Sequence, residues 1–153
     1  MKIGVISDTH GYLDPRVPEV FAGVERILHG GDIGHRAIIT DLEKIAPVTA
    51  VLGNNDFGME FRETEVIKLL GRRILVHHIV NPTSPADVLR ARIEQERPDL
   101  VVFGHTHQKF CQQVGATLFL NPGYAGRQRF HLERCVAIVV LDGDSISHRF
   151  IAL

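Results

Sequence analysis

Apolar residues in this chain come in short runs, and several runs stop at a side chain able to bind a metal. Ile3-Gly4-Val5-Ile6-Ser7 ends at Asp8-Thr9-His10, Arg26-Ile27-Leu28-His29 ends at Gly30-Gly31-Asp32, and Val48 to Gly53 ends at Asn54-Asn55-Asp56. Arg73-Ile74-Leu75-Val76 ends at His77-His78, and Leu100 to Gly104 ends at His105-Thr106-His107. Short apolar runs bounded by turn residues read as buried strands. In an open α/β sheet ligands gather outside the carboxyl ends of the strands, so these ends predict one crevice lined by Asp, Asn and His, with Asp32 at its centre.

Helical spacing fills the gaps. Asp14 can cap a helix whose first turn holds Pro15 and Pro18, with Val17, Val20, Phe21 and Val24 on one face. His35 to Ile45 is a second helix, with Ile38, Leu42 and Ile45 inward and Pro47 closing it. Strand, helix, strand, helix, strand implies parallel strands with right-handed crossovers. Thr64 to Leu70 and Arg73 to Val76, separated by Gly71-Arg72, read as a β-hairpin. Ser84 and Pro85 can start a third helix that runs to about Glu96, with Val88, Leu89 and Ile93 inward and Pro98 stopping it. Two further hairpins follow, Cys111 to Val114 with Thr117 to Leu120, and Val136 to Leu141 with Ser145 to Ile151. Parallel units followed by hairpins predict two mixed sheets packed together with helices outside, in one domain over residues 1–153.

Composition narrows the function classes. A formal charge of −1 argues against a broad nucleic-acid or acidic-membrane footprint. No apolar run approaches the roughly 18 residues of a membrane-spanning helix, and the amino terminus enters a strand without a signal region, so a cytoplasmic location is expected. Cys111 and Cys135 are too few for a disulfide framework and read as small hydrophobes in or beside strands. The nine histidines are the compositional oddity, because more than half fall at the strand ends.

If Asp8, His10, Asp32, Asn54, His77, His105 and His107 converge, their ligand atoms suffice for two metals with one carboxylate shared. Paired metals lie roughly 3.5–4 Å apart, a gap a carboxylate can bridge, and they clamp the attacking and leaving oxygens of a displacement. Two divalent cations against two carboxylates leave net positive charge, which favours an anionic phosphate ester. Imidazole-rich ligation suits manganese, iron, cobalt, nickel or zinc better than magnesium or calcium.

Asp8-x-His10, Gly31-Asp32, Gly53-Asn54, His77 and Gly104-His105-x-His107, in that order, resemble the signature of the calcineurin-like metallophosphoesterase superfamily. The length is most similar to its small single-domain prokaryotic phosphodiesterases, and Asn121-Pro122-Gly123 resembles a further segment of that branch. The resemblance implies a four-layer α/β/β/α fold, a β-sandwich of two mixed sheets flanked by helices. It implies one metal on Asp8, His10 and His107, another on Asn54, His77 and His105, and Asp32 between them, with manganese the first expectation. A hydroxide between the metals would attack the phosphorus of a small phosphodiester in line.

Two positions depart from the family pattern. Many members have a histidine at Asn55 that is thought to orient or protonate the leaving oxygen, and the small phosphodiesterases commonly have cysteine there. Asn55 cannot be a general acid, but its amide can donate to a phosphate oxygen, so diesters with good leaving groups are the expected substrates. His78 stands where relatives usually have glycine; its imidazole could replace the lost acid, with a supporting or surface histidine the plainer reading. His29 reads as a supporting residue behind Asp32. His35, His131 and His148 read as ordinary polar positions. Arg127 and Arg129, after Asn121-Pro122-Gly123-Tyr124, could help bind a phosphate through their planar guanidinium forks, with solvated loop arginines the plainer reading. The alternative reading is a non-catalytic scaffold on the same fold, as in a retromer subunit. An amidohydrolase barrel would need about 250 residues. A metallo-β-lactamase would need a His-x-His-x-Asp-His run, which the sequence lacks.

Overall fold

The structure, a computed structural model, describes residues 1–84 and 86–153, and the backbone alone of Asp87. The elements are β1 (Lys2–Ile6), α1 (Val17–Val20), β2 (Arg26–His29), α2 (Arg36–Glu43), β3 (Val48–Ala50), β4 (Thr64–Leu69), β5 (Arg72–His77), α3 (Asp87–Glu96), β6 (Leu100–Val102), β7 (Lys109–Val114), β8 (Thr117–Pro122), β9 (Cys135–Asp142) and β10 (Ser145–Ala152). They form two five-stranded sheets, β10-β9-β1-β2-β3 and β4-β5-β6-β8-β7. Each is mixed, with a parallel trio (β1, β2, β3 and β5, β6, β8) and antiparallel strands beside it.

Three apolar clusters make four layers. Phe21, Ile38 and Leu42 pack on Ile6 and Ile27, so α1 and α2 cover the outer face of the first sheet. Ile3, Val5 and Leu28 meet Ile74, Val76, Leu100 and Val102 between the sheets. Leu89 and Ile93 of α3 pack on Leu75, Val101 and Phe119 on the outer face of the second. No described helix is long and apolar enough to cross a membrane.

Register aligns the strand ends that matter. Ile6 pairs with His29 and His29 with Ala50, while Val76 pairs with Val102. The parallel contact then continues beyond the strands, where the amides of Asp8, His10 and Gly11 donate to the carbonyls of Gly31, Asp32 and Ile33 at 3.0, 2.9 and 2.8 Å.

Several local expectations change. The first helix is one turn long, because its prolines sit at the start and Gly23 turns left-handed (φ 76°) after it. Asp14 accepts from the Arg16 amide and from the Arg16 and Arg134 guanidinia, and Arg16 takes the cap position of α1. The first hairpin turns on Leu70-Gly71, both at positive φ (47° and 81°), one residue earlier than expected, because a two-residue hairpin turn of this hand needs that conformation at both positions. Val88 points to solvent at 87% exposure, while Leu89 and Ile93 face the core. Pro85, expected at the start of α3, lies outside the described residues, and Arg97 ends that helix in a left-handed conformation before Pro98. His35 is the N-cap of α2, its Nδ1 accepting from the Ala37 amide at 3.1 Å.

Candidate metal centre

The loops after β1, β2, β3, β5 and β6 meet at one edge of the sandwich. Five site residues there, Asp8, His10, Asp32, His105 and His107, have φ between 46° and 70°. Side chains other than glycine rarely adopt this left-handed conformation, and it costs about 1 kcal/mol or more at each. Hydrogen bonds repay that cost. The His105 amide donates to Asp8 Oδ2 at 3.1 Å, Ser7 Oγ donates to the same oxygen at 2.6 Å, and the zipped loop amides hold Asp8 and His10 beside Asp32.

Glycine lets the loops close. A Cβ on Gly31 (φ 97°) would lie 2.7 Å from the His78 ring, and one on Gly104 would collide with Ser7 and Asp8. Asp56 ties two loops together, its carboxylate accepting from the amides of Ile33, Gly34 and Gly53 at 3.0, 2.8 and 2.8 Å. Asn121 does the same for the histidine loop, donating to the Gly104 carbonyl at 2.8 Å and to Thr106 Oγ1 at 3.1 Å.

The side chains fall into two groups. In the first, His107 Nε2 lies 3.2 Å from Asp8 Oδ1 and 3.3 Å from His10 Nε2, with the Tyr124 ring packed beneath His107 at 4.8 Å. In the second, Asn54 Oδ1 lies 3.1 Å from His78 Nε2 and 3.0 Å from His105 Nδ1. Asp32 Oδ2 is common to both, 3.8 Å from His10 Nε2 and 3.5 Å from His78 Nε2. Asp8 with His10 and His107, and Asp8 with Asp32 and His78, each bring three ligand atoms within 4.8 Å of one another.

His77, expected in this constellation, is not brought to it. Along β5 the pleat alternates, so Ile74 and Val76 face the inter-sheet core while Leu75 faces α3. His77 continues the outward series and hydrogen-bonds the Thr64 hydroxyl through Nδ1 at 2.8 Å. His78 continues the inward series, is 2% exposed, and holds the Gly30 carbonyl through Nδ1 at 2.7 Å. Asp8, His10, Asp32, Asn54, His105 and His107 do converge, with His78 in the remaining position. The pleat parity was the sequence signal for it.

The donor chemistry fits metal ions. With Nδ1 holding the Gly30 carbonyl, His78 turns Nε2 toward Asp32 Oδ2 and Asn54 Oδ1, so an imidazole nitrogen, a carboxylate oxygen and an amide oxygen, all atoms that ligate divalent cations, converge. Burial pushes the His10 imidazole below its ordinary pKa, against the pull of Asp32 and Asp8, which keeps its ligating lone pair free. Burial alone would raise Asp32, but the backbone and side-chain amides of Asn55, at 2.9 and 2.7 Å, together with His78 and His10, bring it below the ordinary carboxylate value.

Behind the site, His29 is fully buried and sets a chain of hydrogen bonds. The Gly31 amide donates to its Nδ1, so Nε2–H donates to Thr9 Oγ1, which donates to the Ile33 carbonyl. Burial, opposed by Asp8, drives His29 down to about 4. At the mouth, an open depression of about 360 Å³ is lined by Asn55 and Arg129 as well as by His10, Asp32, Asn54, His105 and His107. The Arg129 guanidinium rests 5.4 Å from the centre of the Tyr124 ring. The sequence offers Arg127 and Arg129 alike as phosphate binders or solvated loop residues, and the fold brings Arg129 to this mouth.

A family model described as the calcineurin-like phosphoesterase superfamily domain matches residues 1–144. A probable metallophosphoesterase of Methanothermobacter thermautotrophicus is 34% identical over 159 residues, covering 99% of this chain and 92% of the relative. Among solved structures, one of a novel archaeal phosphodiesterase aligns over 100% of both chains at 26% identity, with a TM-score of 0.77. Vps29 of Entamoeba histolytica, solved in complex with zinc, aligns over 99% of both chains at 23% identity, with a TM-score of 0.76, a likeness of fold.

Proposed function

Because the chain belongs to the calcineurin-like phosphoesterase superfamily, we propose that it is a metal-dependent phosphodiesterase with a dinuclear site. Asp8, His10 and His107 hold one divalent cation, Asn54, His78 and His105 hold the other, and Asp32 serves both. The observation that carries this reading is Asp32 Oδ2, approached at 3.8 and 3.5 Å by an imidazole nitrogen of each group. The imidazole-rich set favours manganese, with iron, cobalt, nickel and zinc as substitutes. When bound, the cations supply an activated water and neutralise charge on the phosphate oxygens.

The chain's own residues do the rest. Asp32 is held ionised by both Asn55 amides. Asn55 Nδ2 stands at the rim, where it can turn from Asp32 to a phosphate oxygen, and Arg129 presents a planar fork of donors at the same mouth. Neither group can donate a proton near neutral pH, and an alkoxide leaving group from an unactivated ester needs one. Diesters with acidic leaving groups are therefore the substrates, and cleavage of the P–O bond leaves a monoester.

The test is hydrolysis of an activated aryl phosphodiester by metal-stripped protein with manganese, nickel, zinc or magnesium returned, alongside Asp32→Ala and His107→Ala. Metal-dependent turnover that both substitutions abolish in folded protein supports the reading. Stoichiometric metal binding without turnover in any metal would overturn it in favour of a scaffold role.

A further inference from the structure

Beside the second metal position the surface opens into a separate pocket of about 350 Å³, which shares Asn54 and His78 with the site as part of its wall. That volume falls within the range of small-molecule sites, about 300–1,000 Å³. Leu52, Phe57 and Ile79 make its apolar side, and Glu63 and His77 its polar side. Phe57 is 84% exposed and Ile79 48% exposed, so two of the exposed large hydrophobics among the described residues meet at this one place. Exposing apolar side chains singly is ordinary. Gathering an aromatic face and an aliphatic side chain against the wall of a reaction site is the pattern of a binding subsite.

Building on the phosphodiesterase reading, we propose that this pocket receives an aromatic ring without negative charge, carried on one ester group of the substrate, stacked on Phe57 and packed against Ile79. The ring carries no negative charge, because Glu63 and Asp56 in the lining oppose a second phosphate or carboxylate there. Its position follows from the shared residues: a phosphate at the cation that Asn54 and His78 would hold leaves its substituent facing the pocket they line. The exposed Phe57 ring favours a flat group over a flexible alkyl chain, since ring contacts add to area burial.

Calorimetric titration of the manganese-loaded protein with phenylphosphonate and methylphosphonate tests this without requiring turnover. Phenylphosphonate is expected to bind roughly tenfold more tightly, the effect of burying one ring. The double substitution Phe57→Ala with Ile79→Ser is expected to bring that ratio close to one while methylphosphonate still binds. Phe57→Tyr, which keeps the ring, is expected to keep the ratio. Val88→Ala, equally exposed on α3, is the surface control and should leave it unchanged. Equal affinity for the two anions in the wild type, or a preference that survives the double substitution, would overturn the subsite while leaving the metal centre standing. Binding of neither anion would overturn both.

Discussion

His78 Nε2 lies 3.5 Å from Asp32 Oδ2, whereas its neighbour His77 is bonded to Thr64 on the other face of the second sheet. Two adjacent histidines thus have different work, divided by the pleat of β5. His78→Ala is expected to remove one metal equivalent and to lower kcat/KM by at least about 100-fold, the scale of losing a metal ligand or its support. His77→Ala is expected to leave metal content intact and turnover of a methyl ester within about threefold, since the His77 ring bonds Thr64 and lines the neighbouring pocket. Metal analysis of the purified variants beside kinetics checks both. A reversed pattern would return the ligand role to His77.

The reason that distinction escapes a linear reading is physical. A run ending in two histidines announces a strand end, but which of the two faces inward depends on parity counted from Ile74 and Val76, and on the partner sheet those residues pack against. The strand ends themselves were legible because apolar runs and glycine-bounded turns are local signals. The two-sheet architecture was legible because crossover helices and hairpins alternate in a fixed order. The single-turn α1 was misread because Gly23 cuts its helical spacing short, and Val88 because spacing alone does not choose a face. Helical spacing marks candidate faces, yet Val88 and Leu89 are neighbours, and the tertiary packing of α3 against Leu75 and Phe119 selects between them. The sequence named Arg129 without choosing between phosphate binding and solvent, as it reaches the mouth only after the chain has built the second sheet and returned.

Asp56 carries no ligand role in this scheme, yet three backbone amides from two loops end on its carboxylate. Removing it leaves Ile33, Gly34 and Gly53 without acceptors, each amide costing about 1–3 kcal/mol if it stays dry. With partial rehydration, Asp56→Ala is expected to lower unfolding free energy by about 3 kcal/mol and to weaken metal binding, because the loops bearing Asp32 and Asn54 separate. Urea unfolding of the metal-free protein isolates the first effect and metal titration the second. Asp56→Asn, which keeps one acceptor oxygen, should fall between.

His29 makes metal-free stability dependent on pH. The unfolded imidazole takes its proton near 6.5, whereas the folded one resists until about 4. Between those values the unfolded state binds more protons, so the contribution is complete above pH 6.5 and fades as pH falls toward 4. Its size is about 3 kcal/mol. His10 and His77 shift in the same direction, so the readout is the difference between wild type and His29→Gln across this window. The variant is expected to start less stable at neutral pH and to lose less on acidification. Parallel stability curves would show that His29 does not titrate as its burial requires.

Asn55 sets the leaving-group dependence. Its amide holds Asp32 Oδ2 at 2.7 Å and can reach a phosphate oxygen, but it has no proton to give to a departing alkoxide. Charge on the leaving oxygen must therefore be carried by the leaving group itself, and rate should fall steeply as leaving-group pKa rises. Asn55→His introduces a group that titrates near neutrality at the same place. Across substituted phenyl and alkyl methyl phosphates, the variant is expected to be slower than wild type toward the best leaving groups. Asp32 loses one of its two Asn55 bonds there, and its pKa rises toward the ordinary value. Toward the poorest leaving groups the variant should gain about tenfold, with a shallower slope and a rate that declines above the histidine pKa. Two parallel leaving-group plots would mean that position 55 does not face the departing oxygen.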